Sequence, residues 1–460
     1  MVKLPIKVLP PKNSESIIPQ QKPETNENES VTAPIITVKR EFAKKELSYE
    51  NVIEKTNVLY TEPLLPDELY KKCPVSSELY EMFERIFPTT GILGLFIATS
   101  LSSMCTSEPR QFNLLIGKET GEGGTLVVQQ FSKIPFVRDI FDYKTAAGFC
   151  LDYLGLYLTR LGSATPKGVI PPARKTFGII DKTGCTPVDN SFFISKGLDR
   201  LFHQGSAVLE RTFTFWNPLF EEGYAQFSDG YSGSYIIGSK ERRLKIGFIG
   251  ICTLEDFENK ALTASGWTER IVMGTWRSHE IEDKLVIQGI NRKYLPEVDI
   301  SDVVLEKLRH LNPNYPVKVK EWGEEIAIEL DKFAEYCKII RGEKKGKRAA
   351  RDATRIIQAI PVLNKRDYID YCDLAFMDGL VCTMKRQPTA MGWRIPFLFS
   401  IYRWFESDYN KIINKIYNTF CDWNKKPLYS KEFISKSIKE FLISEEEFEN
   451  QKTKYIQVKM

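Results

Sequence analysis

Between Gly117 and Thr125 the chain reads Gly-Lys-Glu-Thr-Gly-Glu-Gly-Gly-Thr, a stretch dominated by glycine. The apolar run Gln111 to Ile116 precedes it. A helix-compatible segment, TLVVQQFSKIPFV, follows from Thr125, so the order is strand, glycine-rich loop, helix. Glycines in that place let backbone N–H groups turn toward an anion at a helix N-terminus, the arrangement that holds phosphate groups. The phosphate-loop pattern GxxxxGK[ST] adds a lysine for the β- and γ-phosphates and a hydroxyl for Mg²⁺. Aligned by its hydroxyl residue, this loop has Thr125 in the last position and Gly124 where the lysine belongs, while Gly117, Gly121 and Gly123 supply the turns. Lys118, at the loop's start, is the cation able to reach back toward phosphates. Glu119 and Glu122 place negative charge where those phosphates would sit. A glycine-rich turn that binds nothing is the competing reading of the same residues.

Further segments follow in order: KTAAGF (Lys144 to Phe149), SFFISKGLDRLF (Ser191 to Phe202), KIGFIGICT (Lys245 to Thr253), LTASGWTERIVMGTW (Leu262 to Trp276) and GKRAARDATRIIQAI (Gly346 to Ile360). Over about residues 75 to 385 this succession resembles the AAA+ ATPases of the minichromosome-maintenance helicase kind, and the order is more specific than any one motif. The resemblance implies a P-loop core with a parallel sheet, a helical lid, and ATP with Mg²⁺ as cofactors. KTAAGF is similar to that family's Ser-Ala-Ala-Gly-Leu stretch. SFFIS is similar to its apolar strand ending in Asp-Glu, and Ser195 and Lys196 stand at those two acidic positions. A serine does not replace an ionised carboxylate around Mg²⁺, and a lysine does not activate water as a glutamate does. The alternative strand FGIIDK offers Asp181, also followed by lysine. By the same resemblance Thr253 takes the sensor position at the γ-phosphate, and Arg270 that of the arginine finger acting across a subunit interface. Arg351 takes the position of the second sensor.

Around these residues the chain divides by composition. Residues 1 to 58 are rich in Pro, Ser, Asn, Glu and Lys and read as a disordered tail, too polar to offset the entropy of ordering. Residues 59–300 read as the α/β core. DELYKKC and SSELYEMFERIF carry helical spacing after Asp or Ser caps, and Phe177 to Ile180, SFFI and KIGFIGIC are short buried strands. From 301 to 390 the pattern is helical, in DVVLEKLRHL, EEIAIELDKFAEYCKIIRG, AARDATRIIQAIPVLN and RDYIDYCDLAFMDGLV, which suits a lid. Residues 391–460 hold an aromatic-rich helix from Ile401, two more helical stretches and a final YIQVKM strand, an order compatible with a winged helix.

The bulk numbers exclude more than they assign. At 460 residues and 42% hydrophobic the chain buries a large core, and a net charge of +4 is too small to argue for nucleic acid from the whole chain. The nine cysteines form no CxxC pair and there are only three histidines, so buried reduced thiols are expected rather than a zinc site. No leader and no run of about 18 apolar residues is present, so a cytoplasmic protein without a membrane partner is expected. Basic patches occur at Glu343 to Arg355 and at Lys425, Lys426, Lys431 and Lys436. They suit DNA phosphates or simply solvated helix faces, and the aromatic run Trp393 to Trp404 suits base stacking or packing. The expectation is therefore a degenerate, helicase-like AAA+ protein in a ring or partial ring, acting in a DNA transaction with weak or absent hydrolysis. A non-enzymatic adaptor on the same scaffold and an ATPase with relocated Lys118 and Asp181 are the alternatives.

Overall fold

The computed structural model describes residues 60, 63–119, 121, 123–146, 148–149, 176–177, 189–229, 233–238, 240–241, 243–257, 266, 270–292, 298–341, 347–384 and 392–442. The tail of residues 1–58, Glu122, Asp181 with most of FGIIDK, and the YIQVKM segment lie outside them.

The first elements are helices: α1 (Asp67–Lys72), α2 (Pro74–Ile86) and α3 (Gly91–Ser103). The expected Asp and Ser caps are not what starts the first two. Pro66 and Cys73 hold the cap positions without a side-chain bond, Pro74 begins α2, and Ser76 and Ser77 are buried within it. Proline suits a first helical turn because its missing N–H has no intrahelical partner there. Helix α3, the apolar GILGLFIATSLSS, is buried along its whole length, as a helix hydrophobic all round must be.

The strands are β1 (Leu114–Lys118), β2 (Val137–Phe141), β3 (Thr176–Phe177), β4 (Ser191–Ser195), β5 (Ala225–Asp229), β6 (Gly233–Ile237), β7 (Ile246–Thr253) and β8 (Val272–Trp276). Between them lie α4 (Gly124–Gln129), α5 (Asp199–Phe202), α6 (Ser206–Glu222) and α7 (Leu254–Phe257). Five strands form one parallel sheet in the order β2-β4-β7-β1-β8, and β3, β6 and β5 form a separate small sheet. The α/β class with a parallel sheet is thus as expected. Two local readings are corrected. The segment after Thr125 is helical only to Gln129, and its PFV end leads into β2. Phe177 belongs to the small sheet, where it pairs with β6, and not to the main one.

The main sheet is covered on both faces. Leu114, Ile116, Phe192, Ile194, Ile249 and Ile251 enter one apolar cluster with α3 and α4, while Leu115, Phe193, Phe248 and Cys252 enter a second with Phe213, Trp216 and Leu219 of α6. Alternation along each strand with apolar residues on both sides is the mark of a doubly covered parallel sheet.

The later helices are α8 (Glu280–Asn291), α9 (Ser301–Leu308), α10 (Glu324–Arg341), α11 (Lys347–Leu363), α12 (Tyr371–Cys382), α13 (Arg394–Tyr402) and α14 (Tyr409–Thr419), and residues 431–442 are also helical. The single helix expected from Ile401 is two helices, because Asp408 caps a new one by accepting from the Asn410 and Lys411 amides. Helix α11 packs on α3, where Ser102 donates 2.8 Å to the Ala359 carbonyl. The same apolar cluster continues from Tyr60 through Ile356, Phe397 and Ile416 to Phe441. Trp393 and the aromatic residues of α13 are buried in it, with Phe397 stacked on Tyr80 at 5.0 Å, so this run packs rather than offering its rings to bases. Among the described residues, no helix is long and apolar enough to cross a membrane, and Cys73, Cys105, Cys252, Cys372 and Cys421 are buried.

Candidate functional site

The connection leaving β1 runs back over β7 and β4 to the edge strand β2. The connections leaving β4 and β7 run the other way. With right-handed crossovers, these paths fall on opposite faces, in agreement with α4 in one apolar cluster and α6 in the other. The carboxyl ends of β1 and β7 therefore flank a topological switch point, where open α/β sheets bind ligands.

Lys118 ends β1 and Thr253 ends β7, and the two are register partners. On its other side Lys118 pairs with Trp276 of β8. Strand alternation from Ile116 and Ile251 puts both side chains on the α3 face. Gly117 and Lys118 are strand residues, so the loop proper is shorter than the sequence suggests. Gly121 and Gly123 adopt φ of 93° and 68°, conformations that favour glycine, and the Gly123 amide donates 2.9 Å to the Gly121 carbonyl. Thr125 lies exposed in the first turn of α4. That helix has only six residues, so its dipole is weaker than a full-length helix would supply.

Gly124 explains the displaced cation. A Cβ built on it would lie 2.5 Å from Cε and 2.6 Å from Cδ of Lys118, so the lysine stem crosses the loop over the glycine that stands in the lysine position. Its ammonium donates 3.3 Å to the Glu119 carbonyl. Glu119 itself is ion-paired with Arg277 at 3.1 Å, which offsets the negative charge expected to oppose phosphate. Because the clash is with the far end of a flexible lysine, Gly124→Ala should displace the Lys118 stem at less than the roughly 1–3 kcal/mol of core overpacking, and the double variant with Lys118→Ala should remove that cost. Chemical denaturation of the four chains measures this, and additive effects would mean that the lysine does not lie over Gly124.

The other expected residues are held by identifiable local contacts. The Thr253 hydroxyl donates 2.9 Å to Asp256 and accepts 3.2 Å from the Asp256 amide, a cap on α7 that engages the group expected to sense phosphate. Ser195 falls on the opposite face from Lys118 and donates 2.6 Å to the Asp142 carbonyl. Lys196 and Arg200 both pair with the Asp142 carboxylate, at 3.5 and 2.7 Å. Burial first, then Asp256 and Asp199, push the Cys252 thiol at the end of β7 up, while Lys118 pulls it down. Asp142, Asp199 and Asp256 stand in no motif that marks them in the sequence. Their places after β2, β4 and β7 are the signal by which acids at strand ends could have been found.

Metal chemistry is poorly served. Among the described residues no group of three His, Cys, Asp or Glu is placed to hold an ion, and the Asp142 carboxylate beside the Ser195 strand is neutralised by two cations. The residues present do not fit a Mg²⁺ site of the kind that needs carboxylates at the strand end. Beside the β1–β8 pair, Ile92, Leu93, Phe96, Ile116, Trp276 and Thr383 line a small apolar cleft of about 10 Å³, little more than the room one water molecule needs.

Arg270 and Arg351 come together, but far from this loop. Arg270 precedes β8 while Lys118 pairs with its last residue, so strand rise separates the two rows by roughly 20 Å. Both arginines approach Glu221, at 2.6 and 3.9 Å, in the company of Arg348, which the sequence shows only as part of a general basic run. At the C-terminal end Lys425, Lys426, Lys431 and Lys436 are exposed. Comparison with protein-family models and with curated proteins finds no match to this chain.

Proposed function

We propose that this chain is a degenerate AAA+ protein, related to replicative helicases, that binds a nucleotide polyphosphate at the Lys118–Thr125 loop and hydrolyses it weakly or not at all. The observation that carries the reading is Lys118 lying over Gly124 beside Thr253 at the sheet's switch point. A lysine ammonium and two left-handed glycines border one short loop, which suits phosphate oxygens. The three strands singled out by the resemblance, β4, β7 and β1, are also neighbours, with their carboxyl ends in one row. In this reading Arg270 and Arg351, facing away from their own loop, act on the loop of a second copy in a ring or partial ring. DNA is the partner, reached through the exposed lysines of residues 425–436.

Calorimetric titration of the full chain with ATP tests the nucleotide site. Weak binding is expected in the wild type, with at least about tenfold loss in Lys118→Ala, which corresponds to roughly 1.4 kcal/mol. Equal affinities in the two chains would defeat the site assignment. Binding of duplex DNA that falls steeply with added salt, and weakens in a Lys425→Ala/Lys426→Ala chain, is expected in parallel. A chain blind to DNA at low salt would leave the adaptor reading ahead.

A further inference from the structure

Arg277 is the first residue after β8, next to Trp276, which is a register partner of Lys118. Its backbone is held on both sides. Gly392, with φ of 72°, comes so close that a Cβ on it would lie 3.1 Å from the Arg277 carbonyl oxygen and 3.2 Å from the His279 amide nitrogen. Two residues on, His279 caps α8, its ring Nδ1 accepting 3.2 Å from the Ile281 amide while its own amide donates 3.0 Å to Glu282. Glu119 is placed differently. It follows the last residue of β1, in the loop that Gly121 and Gly123 turn at positive φ. A carboxylate on a glycine-rich loop therefore meets a guanidinium on a braced strand end, at 3.1 Å. The two side chains are 44% and 40% exposed, and an ion pair so open to water adds little to stability. What the pair does decide is where the Glu119 charge sits. Lys118 is the preceding residue and its ammonium donates 3.3 Å to the Glu119 carbonyl, so a second cation lies beside the carboxylate's own backbone. Of the other acids at these strand ends, Asp256 accepts from the Thr253 hydroxyl at 2.9 Å and Asp199 opens α5.

We propose that Arg277 is a positioning residue for the glycine-rich loop: by pairing with Glu119 it keeps that carboxylate off Lys118 and leaves the lysine charge to the phosphates of a bound nucleotide. The inference rests on the nucleotide reading and adds to it how an acidic loop admits an anion. With Arg277 in place, the charges of Lys118, Glu119 and Arg277 sum to one positive. Without it, those of Lys118 and Glu119 cancel in a single contact. Arginine suits the task, because its planar fork stays charged and holds a carboxylate in a fixed direction. In this arrangement Arg277 acts through Glu119 and not by touching the ligand. No motif announces the pair, which forms only because β8 lies beside β1.

The test is calorimetry with ATP on the full chain as wild type, Lys118→Ala, Arg277→Ala and Arg277→Lys, and on Arg277→Ala combined with Glu119→Gln or with Glu122→Gln. Arg277→Ala is expected to weaken binding about tenfold, and Glu119→Gln in the same chain to restore it to within about threefold of the wild type. Arg277→Lys, which keeps a cation for Glu119, should also stay within about threefold of the wild type. Glu122→Gln should not rescue, because the effect belongs to one carboxylate and not to the loop's total charge. A loss in Arg277→Ala that Glu119→Gln does not reverse would make the arginine a direct phosphate contact or a structural prop, and overturns the proposal. Equal rescue by Glu122→Gln overturns it too. So does wild-type affinity in Arg277→Ala while Lys118→Ala still loses binding, and each of these results leaves the nucleotide reading standing. Absence of binding in every chain would remove the nucleotide reading and this inference with it.

Discussion

Replacing Arg394 by alanine is expected to destabilise the folded chain by about 3–5 kcal/mol, because it strands two buried carboxylates. Arg394 is 3% exposed and forms ion pairs with Glu84 and Glu282, which are 1% and 3% exposed, the latter at 3.5 Å. It also donates 2.9 Å to the Tyr429 hydroxyl and lies over the Phe420 ring at 4.7 Å. Glu84 is engaged beyond the pair. Its carboxylate accepts from the amides of Thr89 at 3.1 Å and Gly91 at 3.0 Å, where α3 begins, and from Tyr60 at 3.3 Å. One arginine thus ties α2, the start of α3, α8 and the C-terminal helices into a single charged knot inside an apolar core. The control is Arg394→Met with Glu84→Gln, which removes the pair while leaving the backbone amides an acceptor. It should cost markedly less than the sum of the single changes. Denaturant unfolding followed by circular dichroism measures the series. A shift below about 1 kcal/mol for Arg394→Ala would show that the knot is solvated or dispensable.

Turnover of ATP by the wild-type chain, with Mg²⁺ supplied, is expected to lie at least about 10³-fold below the 1–100 s⁻¹ of working phosphotransferases. The positions of the strand-end acids expected to hold a metal and orient water are occupied by Ser195 and Lys196, and both are engaged with Asp142. Thr253 is engaged with Asp256. Removing one preorganised electrostatic contact typically costs about 10²–10³ in rate, so two missing roles suffice for the expected loss. The assay runs on wild type, Lys118→Ala and Asp181→Ala. Robust wild-type turnover that either substitution abolishes would make this an ATPase with a rebuilt site. Turnover indifferent to both would point to a contaminating enzyme or to a site elsewhere in the chain.

Local patterns settled much of the architecture. SFFI and KIGFIGIC became β4 and β7 with only end residues shifted, and the helices beyond residue 300 fall where i, i+3, i+4 spacing placed them, because burial on one face or both is written into short-range periodicity. The glycines at 121 and 123 announced a turn that favours positive φ. The strand at Val137 was less legible, since its residues continue an apolar helical pattern until Pro135 and the pairing with β4 interrupt it. Tertiary structure alone decided which charges meet. Lys118 reaches Gly124 because the loop folds back on the strand end, and sequence separation does not reveal that reach. Arg270, before β8, and the Arg348 and Arg351 of α11 come from two distant segments and meet at Glu221, a residue with no motif around it. Arg394 likewise finds Glu84 and Glu282 only when three helices pack. Strand and helix signals are local properties of backbone and burial, whereas an electrostatic site is a property of distances in space, set by the order β2-β4-β7-β1-β8 and by the helices laid across it.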